Sequence, residues 1–438
     1  MEKKLTLIKL GTKYLYRYRR RYGFLFAALV FCFAIITFIT SSKDRMYSNV
    51  YFSAQSHYAG DVVAVGYNPE ILNAHHLGSS DISAILSSAE LAGINPEYTV
   101  FRTLFGNTGI VYFNGIGVVQ KYIIGCDWEN EEHLFSKMDF LSPMQHPVGD
   151  DGIVVSTPVA NQLGLEMGDR VILEVSNKFG QKNTGQFIVK GIVQDTSIFG
   201  YYKVYISRLT LNRLLLYDDN DCSTIGFFFK NDAAAEKNRK NLHEVLSVKT
   251  LTGPLAYSRE EMGRQTPFPW PWPETKVFLY TMPVYLSEIH NLMEALRLLT
   301  YFLYFVMLVI IFSSVAVTYR LVLNERVKEM GVMRAIGFFG NDLRIVLWTE
   351  VIILGVISLF AGLLFSMVLS FVTSFISFSW FPSFEIFLNN GKLMALYLPG
   401  TIFMNIFLTL MVLVAAVIFP ALRASKKELP SLLSGEPI

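Results

Sequence analysis

Four long apolar stretches limit what this 438-residue chain can fold into: one lies near the N-terminus, three crowd the last third, and about 250 more polar residues separate the first from the second. The first, GFLFAALVFCFAIITFIT at 23–40, carries no charge in 18 residues, close to the roughly 20 needed to cross a bilayer core. It is longer than a signal-peptide apolar region of about 7–15 residues, and SSKDRMYSN offers no small-x-small cleavage site, so it reads as an uncleaved anchor. Apolar runs at 298–318, 347–378 and 393–419 lack a central charge, which would cost about 2.5–3.5 kcal/mol there. The expected layout is α-helical, one span plus three, with a large mixed α/β domain between the first and second.

Lys and Arg in the short flanks set the orientation. Lys3, Lys4, Lys9, Lys13, Arg17, Arg19, Arg20 and Arg21 precede the first span; Arg320, Arg326, Lys328, Arg334 and Arg344 lie between the second and third; Arg423, Lys426 and Lys427 follow the fourth. Both termini and the second-to-third loop are therefore expected in the cytoplasm, and the large domain outside. The expected divisions are an amphipathic lead-in at 1–22, the first span at 23–40, the external domain at 41–286 and a stalk with the second span at 287–323. A cytoplasmic segment at 324–346, the third span at 347–378, a short external loop at 379–392, the fourth span at 393–422 and a tail at 423–438 complete the chain. The lead-in sets Lys9, Lys13 and Arg17 at i, i+4, i+8, with Leu5, Ile8, Thr12 and Leu15 on another side, as a helix lying on a membrane surface would. With 52% hydrophobic residues, 17% charged and a net charge of +2, nothing points to a nucleic-acid partner.

In the external domain, runs such as AGDVVAVGY, GIVVS, DRVILEVSN, GQFIVKGIVQD and YYKVYIS are short, rich in Val, Ile and Tyr, and bounded by turn residues, as strands are. SSDISAILSSAELAG, TPVANQLGL and NDAAAEKNRKNLHEVLS read as helices. Cys126 and Cys222 share this domain and could pair in an oxidising compartment; two small buried hydrophobes is the simpler reading, and Cys32 lies inside the first span. In TPFPWPWPETK, proline at alternate positions excludes helix. The segment is either a stiff packed loop or a projecting hook of Phe268, Trp270 and Trp272 for a partner. From Ser287 the sequence has neither Pro nor Gly until Gly331, so a helix to Leu323 would reach about 55 Å and outrun about 30 Å of hydrocarbon. Its outer part is expected to be a stalk.

Several chemistries lack their signatures. No Walker A, HExxH or GxSxG pattern occurs, and the seven histidines, the His75–His76 pair included, lack metal-site spacing. Neither catalysis nor a metal is expected of this chain. Glu350, near the cytoplasmic start of the third span, is expected at the membrane interface.

The segment NERVKEMGVMRAIG, 324–337, places Glu325 and Glu329 one turn apart, and likewise Met330 and Arg334, so a short helix could present charge and soft apolar surface together. On residues alone an ordinary solvated loop helix, its charges merely enforcing topology, is the simpler reading. With LGTKYLYRYRRR at the start, FPALRASKKELPSLL near the end, and IIGCDWENEEHLF, DDGIVVSTPVANQLGLEMGDRVILEV and FIVKGIVQD between, the chain resembles the permeases of the MacB/FtsX superfamily of ABC transporters. Their cytoplasmic turn reads roughly Glu-Arg-x-x-Glu-Ile-Gly-x-Leu-Arg-Ala-x-Gly, which Glu325, Arg326, Glu329, Gly331, Arg334, Ala335 and Gly337 match, with Met330 and Met333 replacing aliphatics. The resemblance implies a coupling helix comprising Glu325, Arg326, Lys328, Glu329, Met330, Gly331, Arg334 and Gly337, and a third span packing through Glu350, Gly355 and Gly362. It implies a bacterial inner-membrane subunit that binds no cofactor itself. Its partners would be a separate ATPase carrying ATP and Mg²⁺, a second permease copy or paralogue, the lipid bilayer, and a periplasmic chaperone or adaptor. Release of lipoproteins is the expected task. Export of peptides, lipids or drugs through an adaptor, control of cell-wall hydrolases, and a membrane-anchored sensor without an ATPase are the alternatives.

Overall fold

The computed structural model describes residues 2–17, 19–71, 75–194, 202–230, 234–378, 387–388 and 391–434; most of the expected external loop at 379–392 lies outside them. In chain order the elements begin α1 (Glu2–Arg17), α2 (Arg19–Tyr58), β1 (Val62–Tyr67), α3 (Ser79–Leu91), β2 (Tyr98–Phe113), β3 (Ile116–Cys126) and α4 (Glu132–Phe135). There follow β4 (Gly152–Ser156), α5 (Thr157–Leu163), β5 (Arg170–Ser176), β6 (Lys182–Val193), β7 (Lys203–Ser207), α6 (Arg208–Leu215), β8 (Thr224–Phe228), α7 (Ala235–Leu246) and α8 (Arg259–Gln265). The chain closes with β9 (Lys276–Thr281), α9 (Met282–Tyr285), α10 (Ser287–Glu325), α11 (Val327–Ala335), α12 (Gly340–Thr373), α13 (Pro399–Lys426) and α14 (Leu429–Ser434). Two compact units emerge: Met1–Tyr47 with Met293–Phe378 and Lys392–Ile438, and Ser48–Leu292 with Ser379–Gly391.

The first unit is helical. Among the described residues α2, α10, α12 and α13 are long and apolar enough to cross a membrane. Their buried faces form one core in which Leu25, Leu29, Ile311, Val315, Leu347, Leu354, Leu413 and Val417 take part. On α12 the buried positions Val351, Leu354, Gly355, Ser358, Leu359, Gly362 and Ser366 make a single stripe at helical spacing. The remaining surface carries Ile352, Val356, Phe360, Leu364, Val368 and Phe371, all exposed, which suits lipid better than water. The third helix starts at Gly340, seven residues before its expected boundary, and Asp342 accepts the Phe339 N–H at 3.0 Å to satisfy one of its free first-turn donors.

The second unit is α/β. Strand order β3-β7-β4-β6-β5-β2-β8-β1-β9, with β3 also paired to β2, closes the first six strands into a ring. The long β2 belongs to both parts: Tyr98–Arg102 pair with β8, whereas residues from Thr103 onward pair with β3. Phe105, Val111, Ile123, Val155, Phe187 and Val189 fill the ring together with Leu163 of α5 and Leu211 of α6. A second core under α3 and α7 holds Val62, Ile85, Ile225, Leu242 and Leu279. Burying each such side chain contributes roughly 1.5–3 kcal/mol.

The largest departure from the expected boundaries is at the first long helix. The first helix does not end at 40; α2 runs unbroken to Tyr58, 40 residues and about 60 Å. The stretch after 40 is polar enough to resemble a loop, yet it has no Pro or Gly before Gly60, and buried Met46, Val50 and Ala54 recur every four residues. The helix stops at Ala59, whose φ of 59° is left-handed. There the chain lies so close to β8 that a Cβ on Gly226 would collide with the Ala59 carbonyl.

Candidate functional site

The segment between α10 and α12 folds as the short helix α11, and its two faces differ in a way the sequence does not announce. Val327, Met330, Gly331 and Met333 turn into the helical core. Lys328, Val332, Ala335 and Ile336, at i, i+4, i+7 and i+8, form the outer face. Val332 is 54% exposed, and Ile336 and Phe339 each 71%. Gly337, with φ of 102°, makes the turn that carries the chain toward α12. Glu325 is exposed and Glu329 partly so. The soft apolar surface expected from Met330 is thus supplied by Val332, Ile336 and Phe339. Both faces carry apolar side chains, so helical periodicity does not distinguish them.

Arg326, at the junction of α10 and α11, is only 2% exposed, and its Nη1 donates to Glu350 Oε2 at 2.7 Å. Glu350 on α12 is completely buried, and the same oxygen accepts the Tyr22 hydroxyl of α2 at 3.0 Å. Tyr14 of α1 lays its ring 4.6 Å from the guanidinium, and Glu329 stands 3.5 Å from Nε. Tyr319 of α10 donates to the Leu347 carbonyl at 3.0 Å. One carboxylate therefore joins helix α2, helix α12 and the start of α11. Arg334 and Arg344 grip the end of α13, donating to the Ser425 carbonyl at 2.9 Å and hydroxyl at 2.7 Å. The sequence names Arg326 and Glu350 separately; their 24-residue separation gives no signal that they meet.

Gly355 and Gly362 are both close-approach positions, toward different helices. A Cβ on Gly355 would stand 3.1 Å from Leu413 of α13, and one on Gly362 2.9 Å from the Val30 carbonyl of α2. The lead-in α1 also packs closely, since a Cβ at Gly11 would meet the Val346 carbonyl of α12 at 3.1 Å.

In the α/β unit, Trp272 is 9% exposed and its Nε1 donates to the Tyr67 carbonyl at 3.1 Å. Trp270 stacks 6.1 Å from it, while Phe268 is 83% exposed at the tip. Two of the three aromatics thus serve a packed loop, leaving Phe268 outward. Cys32, Cys126 and Cys222 are all free and buried. Burial pushes the Cys222 thiol up to about 12 and Cys126 well above its usual range, so neither is a ready nucleophile. Burial pulls His75 down to about 4, and His76 lies 2.9 Å from Asp221. Among the described residues no group of His, Cys, Asp or Glu is placed to hold a metal ion.

A second buried pair had no sequence signal at all. Arg102 on β2 donates to Glu131 from Nε at 2.9 Å, and from Nη1 to the Ser56 and His57 carbonyls at 2.6 and 3.1 Å. Its charge therefore caps the C-terminal end of α2. Nearby, the Tyr58 ring at the end of α2 stacks 3.6 Å from Tyr285, two residues before α10.

Residues 301–429, covering most of α10 and all of α11, α12 and α13, match the family of FtsX-like permease C-terminal domains. The chain carries an FtsX-like permease domain. The expected membership of the MacB/FtsX superfamily of ABC permeases is borne out by that match. No curated protein matches the chain. Among solved structures, the periplasmic region of MacB from Actinobacillus actinomycetemcomitans is 12% identical over 54% of this chain and 96% of its own, with a TM-score of 0.30. A permease-protein domain from Porphyromonas gingivalis is 12% identical over 44% of this chain and 86% of its own, with a TM-score of 0.29. Likeness that loose carries no argument.

Proposed function

We propose that this permease is the membrane subunit of an ABC transporter that converts ATP hydrolysis by a separate subunit into movement of its α/β domain, with release of lipoproteins from the inner membrane as its task. The observation that carries the reading is the outer face of α11 in a permease domain: an exposed apolar patch of Val332, Ile336 and Phe339, edged by Glu325 and Lys328. A short helix held from behind by its own core presents a firm surface to a partner. The ATPase would dock there and supply ATP and Mg²⁺. The four spans would cross as one plus three, with α11 and both termini cytoplasmic, following the basic flanks.

The long α2 and α10 support mechanical transmission, because each continues well beyond the roughly 20 residues a bilayer requires. Away from Arg326, Glu350 and Asp342 near α11, the buried polar side chains of the described spans are uncharged, and some pair with one another: Asn405 donates to Thr40 at 2.8 Å, and Ser366 and Tyr397 hydroxyls meet at 3.0 Å. This supports cargo handled outside or taken from the outer leaflet over cargo threaded between helices. Phe268 would be the contact for a periplasmic chaperone. Export through an adaptor is the second reading, favoured by exposed Ile116, Val119, Ile172 and Phe179 on the six-strand part.

Co-purification in mild detergent, with mass spectrometry of bound proteins, tests the proposal. An ATPase should accompany the native chain and be lost from the folded double variant Val332→Asp with Ile336→Asp. Absence of any ATPase from the native sample would favour the anchored sensor.

A further inference from the structure

Glu350 is buried in an apolar helical bundle, and its two oxygens are used very unequally. Oε2 takes the Arg326 guanidinium at 2.7 Å and the Tyr22 hydroxyl at 3.0 Å, whereas buried Oε1 has no hydrogen-bond partner among the described residues. A buried acceptor left empty is costly, and a carboxylate can take a planar guanidinium on both oxygens at once. Arg326 engages it with one nitrogen only. The guanidinium also faces a second carboxylate: Nε stands 3.5 Å from Glu329 Oε2, an ion-pair distance without a hydrogen bond, on the partly exposed side of α11. Tyr319 and Tyr14 limit the alternatives: the former is committed to the Leu347 carbonyl and the latter covers the guanidinium with its ring.

We infer that Glu350 is a positioning residue for coupling: its single-oxygen tie to Arg326 and Tyr22 lets α11 re-seat against α2 and α12 when a partner presses on the outer face, Arg326 turning from Glu329 toward the empty Oε1. The inference rests on the coupling reading above. An open acceptor beside a guanidinium that lies between two carboxylates has two arrangements of similar composition, which is what a switching joint requires. Tyr22 makes the change visible to α2, because its hydroxyl follows the carboxylate. Glu350 does not contact the docking face, so losing it should leave assembly intact.

The test uses the full permease–ATPase complex in lipid nanodiscs, comparing native chain, Glu350→Gln, and the exchange Arg326→Glu with Glu350→Arg. Three quantities are read: ATPase bound per permease, ATP hydrolysis rate, and the nucleotide-dependent change in distance between spin labels on the helical and α/β parts. Glu350→Gln should keep its ATPase and its hydrolysis, while the fraction of complexes showing the distance change falls roughly 2- to 30-fold. The exchange variant should recover part of it; failure of the exchange to fold is covered by Tyr22→Phe, which should show a smaller loss of the same kind. An unchanged distance response in Glu350→Gln overturns the inference. So does loss of the ATPase from Glu350→Gln alone, which would make the residue part of docking. Absence of ATPase from the native complex overturns the coupling reading and the inference with it, a pattern distinct from loss confined to a variant.

Discussion

The helical and α/β units each bury an arginine–glutamate pair, and the two pairs are built to opposite ends. Arg102 and Glu131 are saturated: the arginine reaches one carboxylate oxygen and two helix-end carbonyls, and the other oxygen accepts the Asp127 N–H at 3.2 Å. Burial lifts the Glu131 carboxyl above its usual range while Arg102 pulls it back down. Nothing in that cluster has a second place to go. Arg326 and Glu350 are equally hidden but leave an acceptor open and set the guanidinium between two carboxylates. Full satisfaction fixes a geometry, whereas partial satisfaction permits two. The α/β unit thus holds the end of α2 firmly, and the helical unit holds its own joint loosely enough to shift.

The comparison can be broken most directly by alanine at each arginine. Arg102→Ala should cost about 3–5 kcal/mol, because Glu131 and two carbonyls lose their partner together. Arg326→Ala should cost about 1.5–3 kcal/mol, because Glu350 keeps Tyr22. Thermal unfolding of the full chain in detergent measures both, and equal losses would remove the distinction. A Cβ tests how α2 is held in each unit. Gly226→Ala, against the Ala59 carbonyl, and Gly362→Ala, against Val30 and Phe33, should each cost about 1–3 kcal/mol, the former more because only backbone can yield.

Acid should separate the two units as well, since all seven histidines lie between residues 57 and 290. His75 is pulled to about 4 in the folded chain against about 6.5 unfolded, so below that the unfolded state binds the extra proton. Its contribution is whole above about pH 6.5 and lost as pH falls toward 4, roughly 1–3 kcal/mol in total. Limited proteolysis should show the α/β unit opening first, and His75→Phe should flatten that dependence. The smallest effects belong to the aromatic loop. Trp272→Phe forfeits one hydrogen bond, about 0.5–1.5 kcal/mol, whereas Phe268→Ser should change stability by less than about 0.5 kcal/mol.

The apolar spans, the helix start at Ser287 and most strands were legible because each is announced locally, by length, periodicity or turn residues. The extension of α2 to Tyr58 was legible only in retrospect: a spacing of four at Met46, Val50 and Ala54 is easily lost among polar neighbours. The closed ring escaped because β2 changes partners along its length, from β8 to β3, and no local pattern encodes that. Arg326 and Glu350 were each named from the sequence, yet not as partners, and Arg102 with Glu131 was not named. Buried charges are identified by what surrounds them, which is a property of the fold.

The central claim, that an ATPase at α11 moves the α/β domain, is tested most directly by one distance. With the three native thiols buried, spin labels can be placed at exposed Val248→Cys and Phe24→Cys, and their separation measured by double electron–electron resonance in the complex. The account predicts one distance distribution without nucleotide and a displaced one with ATP trapped. The same distribution in both states, in a complex that hydrolyses ATP, would contradict it.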